Sequence, residues 1–211
     1  ADIATIPFEG EADLRFHKER TEIDGTLSVA ECKIDDLIGK FIGNFVPEAK
    51  KISTDAVVGI DATCKGDFIP SSGKLPTFRV DLFVPESKVT HKDIGEEIHL
   101  ALDASLANAR RGAFNITVND VAVRTTGLRF NAFGGFMDML SEDPEISLDG
   151  SISASLDSLM RFLPDSTGLI AKGGLEAEIS GSARLSHLSL YTFSQSDLEG
   201  KAVSDSIIIK S

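Results

Sequence analysis

Apolar and polar residues alternate along most of this chain. Ala56, Val58, Ile60, Ala62, Cys64 and Phe68 form one series, with Val57, Asp61, Thr63, Lys65 and Asp67 set between them. The rhythm returns in Ile98, Leu100, Leu102, Ala104 and Leu106, and again in Leu175, Ala177, Ile179, Ala183 and Leu185. Neighbouring side chains of a strand point to opposite faces, so each run predicts one apolar and one polar face. The pattern predicts strands over 3–8, 12–17, 22–30, 54–68, 77–84, 88–90, 96–108, 113–124, 126–132, 145–154, 174–185, 188–193 and 201–210. Asn119-Asp120 breaks the phase of its strand and predicts a bulge or tight turn. Pro70-Ser71-Ser72-Gly73 predicts a turn.

Three stretches change period. Ile34, Leu37, Ile38, Phe41, Ile42, Phe45 and Val46 follow a helical stripe, with Asp35 and Asp36 in the first turn and Pro47 beyond the end. Phe133, Phe136, Met137 and Leu140 form a shorter stripe, weakened by Gly134 and Gly135. Leu156, Leu159, Met160 and Leu163 form a third, closed by Pro164. The first and third stand in similar surroundings. Gly25-Thr26-Leu27-Ser28-Val29 leads into one helix and Gly150-Ser151-Ile152-Ser153-Ala154 into the other, and each helix is followed by a proline and an alternating strand. This suggests one strand–helix–strand unit used twice, over about 22–68 and 145–185. No Pro/Ser/Gly tract or charge block separates the two, so residues 1–211 are expected to form a single elongated β domain.

With 211 residues, 42% hydrophobic and 26% charged, the chain is long enough for a folded core. The net charge of −12 argues against binding a phosphate backbone, which needs clustered Lys and Arg. The aromatic set is 13 Phe, one Tyr and no Trp, and Phe contributes area without a polar handle. Cys32 and Cys64 fit no metal spacing and no CxxC motif. Cys64 continues an apolar face, which favours a buried free thiol; a Cys32–Cys64 disulfide stays open at this level. No run reaches the roughly 18 apolar residues of a membrane-spanning helix. No basic-then-apolar leader opens the chain, and Ala1-Asp2 runs directly into a strand-like stretch, as in a processed chain or a segment of a longer one.

Candidate chemistry is sparse. His17, His91, His99 and His187 have no spacing that suggests a ligand set. Glu142-Asp143-Pro144 reads as a solvated turn rather than a calcium loop. The pairs Gly134-Gly135 and Gly173-Gly174 lie in no phosphate-loop context. No GxSxG surrounds a serine. Arg110-Arg111 reads as a solvated turn, and Asn115-Ile116-Thr117 spells a glycosylation sequon inside a predicted strand. The sequence therefore predicts no catalytic residue, no metal site and no cofactor.

A sheet on the order of ten strands presents an apolar face too wide for three short helices to cover. It can close on itself as a sandwich or barrel, stack edge to edge with further units, or form an open trough whose floor takes a ligand. Several stretches bear on the choice: Leu128-Arg129-Phe130-Asn131-Ala132-Phe133, Glu142 to Gly150, Ser155-Leu156-Asp157-Ser158-Leu159, Phe162-Leu163-Pro164, and the closing Asp197 to Val203 and Ser206 to Ile209. Together they resemble the AsmA-like bacterial envelope proteins, closely over the second half and loosely over the first. The resemblance implies a mainly β fold, with a large curved, taco-like antiparallel sheet, two or three short amphipathic helices and a hydrophobic groove. It also implies a periplasmic or envelope-associated place, a membrane anchor outside these 211 residues, and a role in moving phospholipid, with no catalytic residue to carry over. The chain would then be a soluble piece of a larger protein or a minimal member.

The expected function is non-enzymatic binding or conduction of a phospholipid or other acyl lipid. Strand phase puts Leu100, Leu102, Phe114, Ile116, Leu128, Phe130, Ile146 and Leu148 forward as lipid contacts. The alternative is a structural or interaction β-sandwich with a self-buried core.

Overall fold

The computed structural model describes residues 2–3, 6–37, 51–91, 97–110, 113–160, 170–188, 192–205 and 208–210. Its main body is one open antiparallel sheet of 11 strands. The strands in chain order are β1 (Asp2–Ile3), β2 (Ile6–Pro7), β3 (Glu9–Phe16), β4 (Thr21–Lys33), β5 (Ile52–Thr54), β6 (Val57–Phe68), β7 (Thr77–His91) and β8 (Glu97–Arg110). They continue with β9 (Ala113–Arg124), β10 (Leu128–Met137), β11 (Glu145–Ser155), β12 (Ile170–Lys172), β13 (Gly174–Arg184), β14 (Asp197–Ser204) and β15 (Ile208–Lys210). The spatial order is β14-β13-β11-β10-β9-β8-β7-β6-β4-β3, with β5 paired to the end of β7. β1–β2 and β12–β15 are small separate pairs. Helices α1 (Ile34–Leu37) and α2 (Leu156–Leu159) begin directly after β4 and β11.

This order follows from the connections. Short turns join β3 to β4, β6 to β7, β10 to β11 and β13 to β14 at one end of the sheet, hereafter the turn end. The longer crossovers that contain α1 and α2 leave from the other end. At each crossover a long strand, a helix start, a three-residue strand and a second long strand follow one another. The second long strand then pairs back antiparallel on the first, β6 on β4 and β13 on β11. β3 and β14 are the outermost strands, so the sheet does not close into a barrel.

The structure alters several sequence expectations. The stripe from Phe133 to Leu140 is not a helix: β10 runs on to Met137 and pairs along that length with β11. Gly134 and Gly135 disfavour a helix, and strands on both sides supply ladder partners. Gly134 also has φ 156°, and a Cβ there would run into the Ser147 carbonyl, so the position demands glycine. The strands expected over 77–84 and 88–90 are one strand, β7, whose register shifts between Val84 and Ser87. The strand expected over 54–68 is split. Thr54 belongs to β5, and the Asp55 carboxylate accepts the Lys88 N–H at 2.7 Å, which turns the chain before β6.

Near the C-terminus, β14 begins at Asp197 and stops at Ser204, so the single strand expected over 201–210 is two. Leu188 lies outside any strand and Phe193 lies in a 3-10 turn, while 189–191 fall outside the described residues. Of the helical stripes, Ile34–Leu37 and Leu156–Leu159 are helical, and the remainder of both falls largely outside the described residues. The bulge expected at Asn119-Asp120 is present: β9 slips there against both β8 and β10. Cys32 and Cys64 are free. Cys32 stands opposite Val58 and Cys64 opposite Gly25, which separates them by roughly 20 Å along β6, beyond disulfide reach.

The packed core is small and off centre. Val29, Cys32, Ala56, Val58 and Val84 are buried together, with Phe8, Ile34, Ile60, Leu82 and Leu102 packed against them. This places the core where β4, β6 and β7 approach the helix end. The accessible surface is 13961 Å². A compact monomer of 22.6 kDa would expose about 9,500 Å². A sheet with no second layer over most of its area among the described residues contributes to the excess, roughly 4,500 Å².

A continuous apolar face as the candidate functional site

Residues directly opposite each other in an antiparallel ladder share a face, so the register identifies the surface each side chain belongs to. One row runs Leu27–Ala62–Val80–Leu106–Ile116–Phe136–Ile146–Ala183. The next runs Val29–Ile60–Leu82–Ala104–Val118–Gly134–Leu148–Gly181–Leu198. A third runs Val84–Leu102–Val121–Ala132–Gly150–Ile179–Gly200, and a fourth Ser87–Leu100–Val123–Phe130–Ile152–Ala177–Ala202. Leu128 continues the pattern opposite Ala154 and Leu175. None of these rows contains a charged residue.

The residues put forward from the sequence, Leu100, Leu102, Phe114, Ile116, Leu128, Phe130, Ile146 and Leu148, all lie on this face, each partly exposed. Two of them differ from the rest. Leu102 packs against the buried cluster and so belongs to the edge of the core. Phe114 stacks its ring at 5.7 Å from that of Phe78, at the turn end. The polar group placed among them, Asn108, is satisfied. Its side chain accepts the Phe78 N–H and donates to the Pro76 carbonyl, each at 2.6 Å.

The bulge at Asn119 keeps this face intact. The extra residue shifts the phase of β9, so Phe114, Ile116 and Val118 on one side and Val121 and Val123 on the other face the same way. Without it one half of β9 would turn its apolar residues to the polar face.

Small residues hollow the face near β14. A pocket of about 390 Å³ is lined on the apolar side by Phe130, Gly150, Ile152, Ala177, Ile179 and Ala202. A second hollow, about 540 Å³, lies on the opposite face among Asn131, Phe133, Asp149, Glu178, Glu199 and Lys201. It carries carboxylates and one ammonium but no nucleophile held by a base. Among the described residues no group of three His, Cys, Asp or Glu converges to hold a metal ion.

The polar face is organised by cross-strand and same-strand charge pairs. Lys65 meets Asp24 at 2.7 Å, Arg79 meets Asp81 at 2.6 Å, and Glu97 receives both Lys88 and His99. The hydrogen bond from Arg79 holds the Asp81 carboxyl below its ordinary range, and that from Lys88 does the same for Glu97. Asp24 raises the Lys65 ammonium in turn. Such exposed pairs are screened by solvent and add little to stability; their consequence is a wetted surface. On the other side, burial among apolar neighbours pushes the Cys64 thiol up. The two faces thus differ in chemistry as sharply as in shape.

The candidate contacts read from the sequence left out Phe78, Val121, Val123 and Ile152, although the same alternation finds them. The hollow was not legible, because it depends on Gly150 and Gly200 standing beside Ile179 across three strands. The chain matches no protein-family model, no curated protein and no solved structure.

Proposed function

We propose that this chain is a non-enzymatic module that binds or conducts acyl lipid on its apolar sheet face. The observation that carries the reading is the set of uncharged rows from β4 to β14, left without a covering layer among the described residues. An apolar surface of this extent marks an interaction site rather than an ordinary exterior. A lipid chain lying on it gains about 0.8 kcal/mol per buried CH₂, so hydrocarbon alone supplies affinity without a charged clamp. The ligand class is phospholipid or another acyl lipid. The resemblance to the AsmA-like proteins supports the same reading and suggests an envelope or periplasmic setting. β3 and β14 stand at the two ends of the strand order, so the apolar face is not enclosed by closure into a barrel.

The direct test is organic extraction of the protein purified without detergent, followed by mass spectrometry. Stoichiometric acyl lipid is expected. A chain that is folded and lipid-free, and that takes up no added phospholipid or fatty acid, sinks the proposal.

A further inference from the structure

Large apolar side chains stand in water at one end of the sheet. Phe16 at the end of β3 is 77% exposed and Leu140 is 66% exposed. Leu75, Met139, Leu185 and Leu188 are exposed with them. These residues come from separate connections, β3–β4, β6–β7, β10–β11 and β13–β14, and all of these connections lie at the turn end. Neighbouring strands are about 4.8 Å apart, so the series spreads over roughly 40 Å from β3 to β13.

The turns that carry them are fastened at their bases. Asp138 adopts φ 54°, its N–H donates to the Asn115 side chain at 2.9 Å, and the Met139 N–H donates to the Phe114 carbonyl at 2.8 Å. The Asp143 carboxylate accepts from both the N–H and the hydroxyl of Ser186 at 2.9 Å, which ties this turn to the next. In the β6–β7 turn Ile69 and Lys74 exchange backbone hydrogen bonds of 2.9 and 3.2 Å. Polar bonds therefore fix the backbone, and the apolar tips stand on it with much of their surface in water.

We infer that the turn end docks into an electroneutral lipid surface, with these tips as its contacts. Tips set on separate turns suit a bilayer interface, which receives each one independently. A protein partner would need a single contiguous complementary patch. Acidic and basic side chains are mixed at this end rather than gathered into a patch of one sign: Arg20 and Lys74 both approach Asp67, at 3.5 and 3.3 Å, and Arg184 donates to the Asp143 carbonyl. With a chain charge of −12, an anionic surface would repel the molecule. The inference goes beyond lipid carriage on the sheet face and stands without it.

The chain has no Trp, so Leu140→Trp introduces a single reporter. Its emission is expected to shift to the blue and to be quenched by brominated acyl chains in phosphatidylcholine vesicles, with Phe133→Trp on the polar face as the unresponsive control. The unlabelled protein should float with these vesicles at low and at 0.5 M salt. Leu140→Asp with Met139→Ser should cut that fraction at least tenfold while leaving the circular dichroism and fatty-acid uptake unchanged. Leu185→Asp, on a different turn, gives the same reading if the first variant fails to fold. Failure to float, an unshifted emission from the Leu140→Trp variant, flotation unaffected by the substitutions, or tips protected only in a protein complex would each overturn the inference.

Discussion

Phe130→Asp tests whether the apolar face holds the ligand. Phe130 sits on β10 between Val123 and Ile152, at the wall of the 390 Å³ hollow and away from the buried cluster. Being only partly buried, it should cost about 2 kcal/mol of stability when replaced, less than a fully buried Phe. The effect on the ligand should be larger. An acyl chain that loses contact with two CH₂ groups there loses about 1.6 kcal/mol. Covering the new carboxylate costs at least about 2 kcal/mol more. The sum, about 3.6 kcal/mol, is a loss of roughly 400-fold in affinity. Phe133→Asp is the matched control: three residues on, on the same strand, it faces the polar side and is 53% exposed. The assay is titration with a pyrene-labelled long-chain fatty acid, with far-ultraviolet circular dichroism to establish folding. Phe130→Leu should stay within about threefold of the wild type. If folded Phe130→Asp binds as the wild type does, or if Phe133→Asp loses binding equally, the face assignment is refuted.

Three further outcomes are expected. Leu102→Asp, placed against Val84 and the buried cluster, should destabilise by about 3 kcal/mol or more in urea titration and so report on folding rather than on ligand. Cys64, whose thiol is pushed up by burial, should react slowly with iodoacetamide at pH 7.5 and more slowly still with acyl lipid bound, while bound lipid that leaves its rate unchanged would argue against lipid covering β6. Asp143 is held below its ordinary pKa of 3.8 chiefly by the Ser186 N–H, so it contributes stability above pH 4 that is lost as pH falls through the lowered value. Asp143→Asn should therefore raise hydrogen exchange at Ser186 at pH 6, with little difference between variant and wild type in strong acid.

Much of the sheet was legible because its code is simple. A period of two, bounded by turn residues, locates β6, β8, β9, β11 and β13 to within a few residues. The failures have physical causes. At Phe133–Leu140 the apolar spacing is that of a helix, but Gly134 and Gly135 weaken it and the ladders offered by β9 and β11 override it. At Thr54–Ala56 the break is made by Thr54 and Asp55 side chains bonding the backbone of a strand distant in sequence. No local pattern contains that partner. The face itself was legible residue by residue, but its continuity depends on register. The slip at Asn119 shows why: without it, the rows on one side of the bulge would break at β9.

An open apolar face carries a liability that the rest of the molecule answers. Unoccupied, it favours face-to-face association, and the free edges of β3 and β14 favour strand addition. The acidic composition opposes both. Glu9, Glu11 and Asp13 line the polar side of the β3 edge, so a second copy approaching there meets like charge. The net charge of −12 and the open face are then linked, because charge on one side opposes the association that the other side favours. The same logic bears on the acyl ligand proposed above. A neutral acyl chain can enter such a field, whereas a polyanion is repelled and a polycation would be drawn to the wrong face.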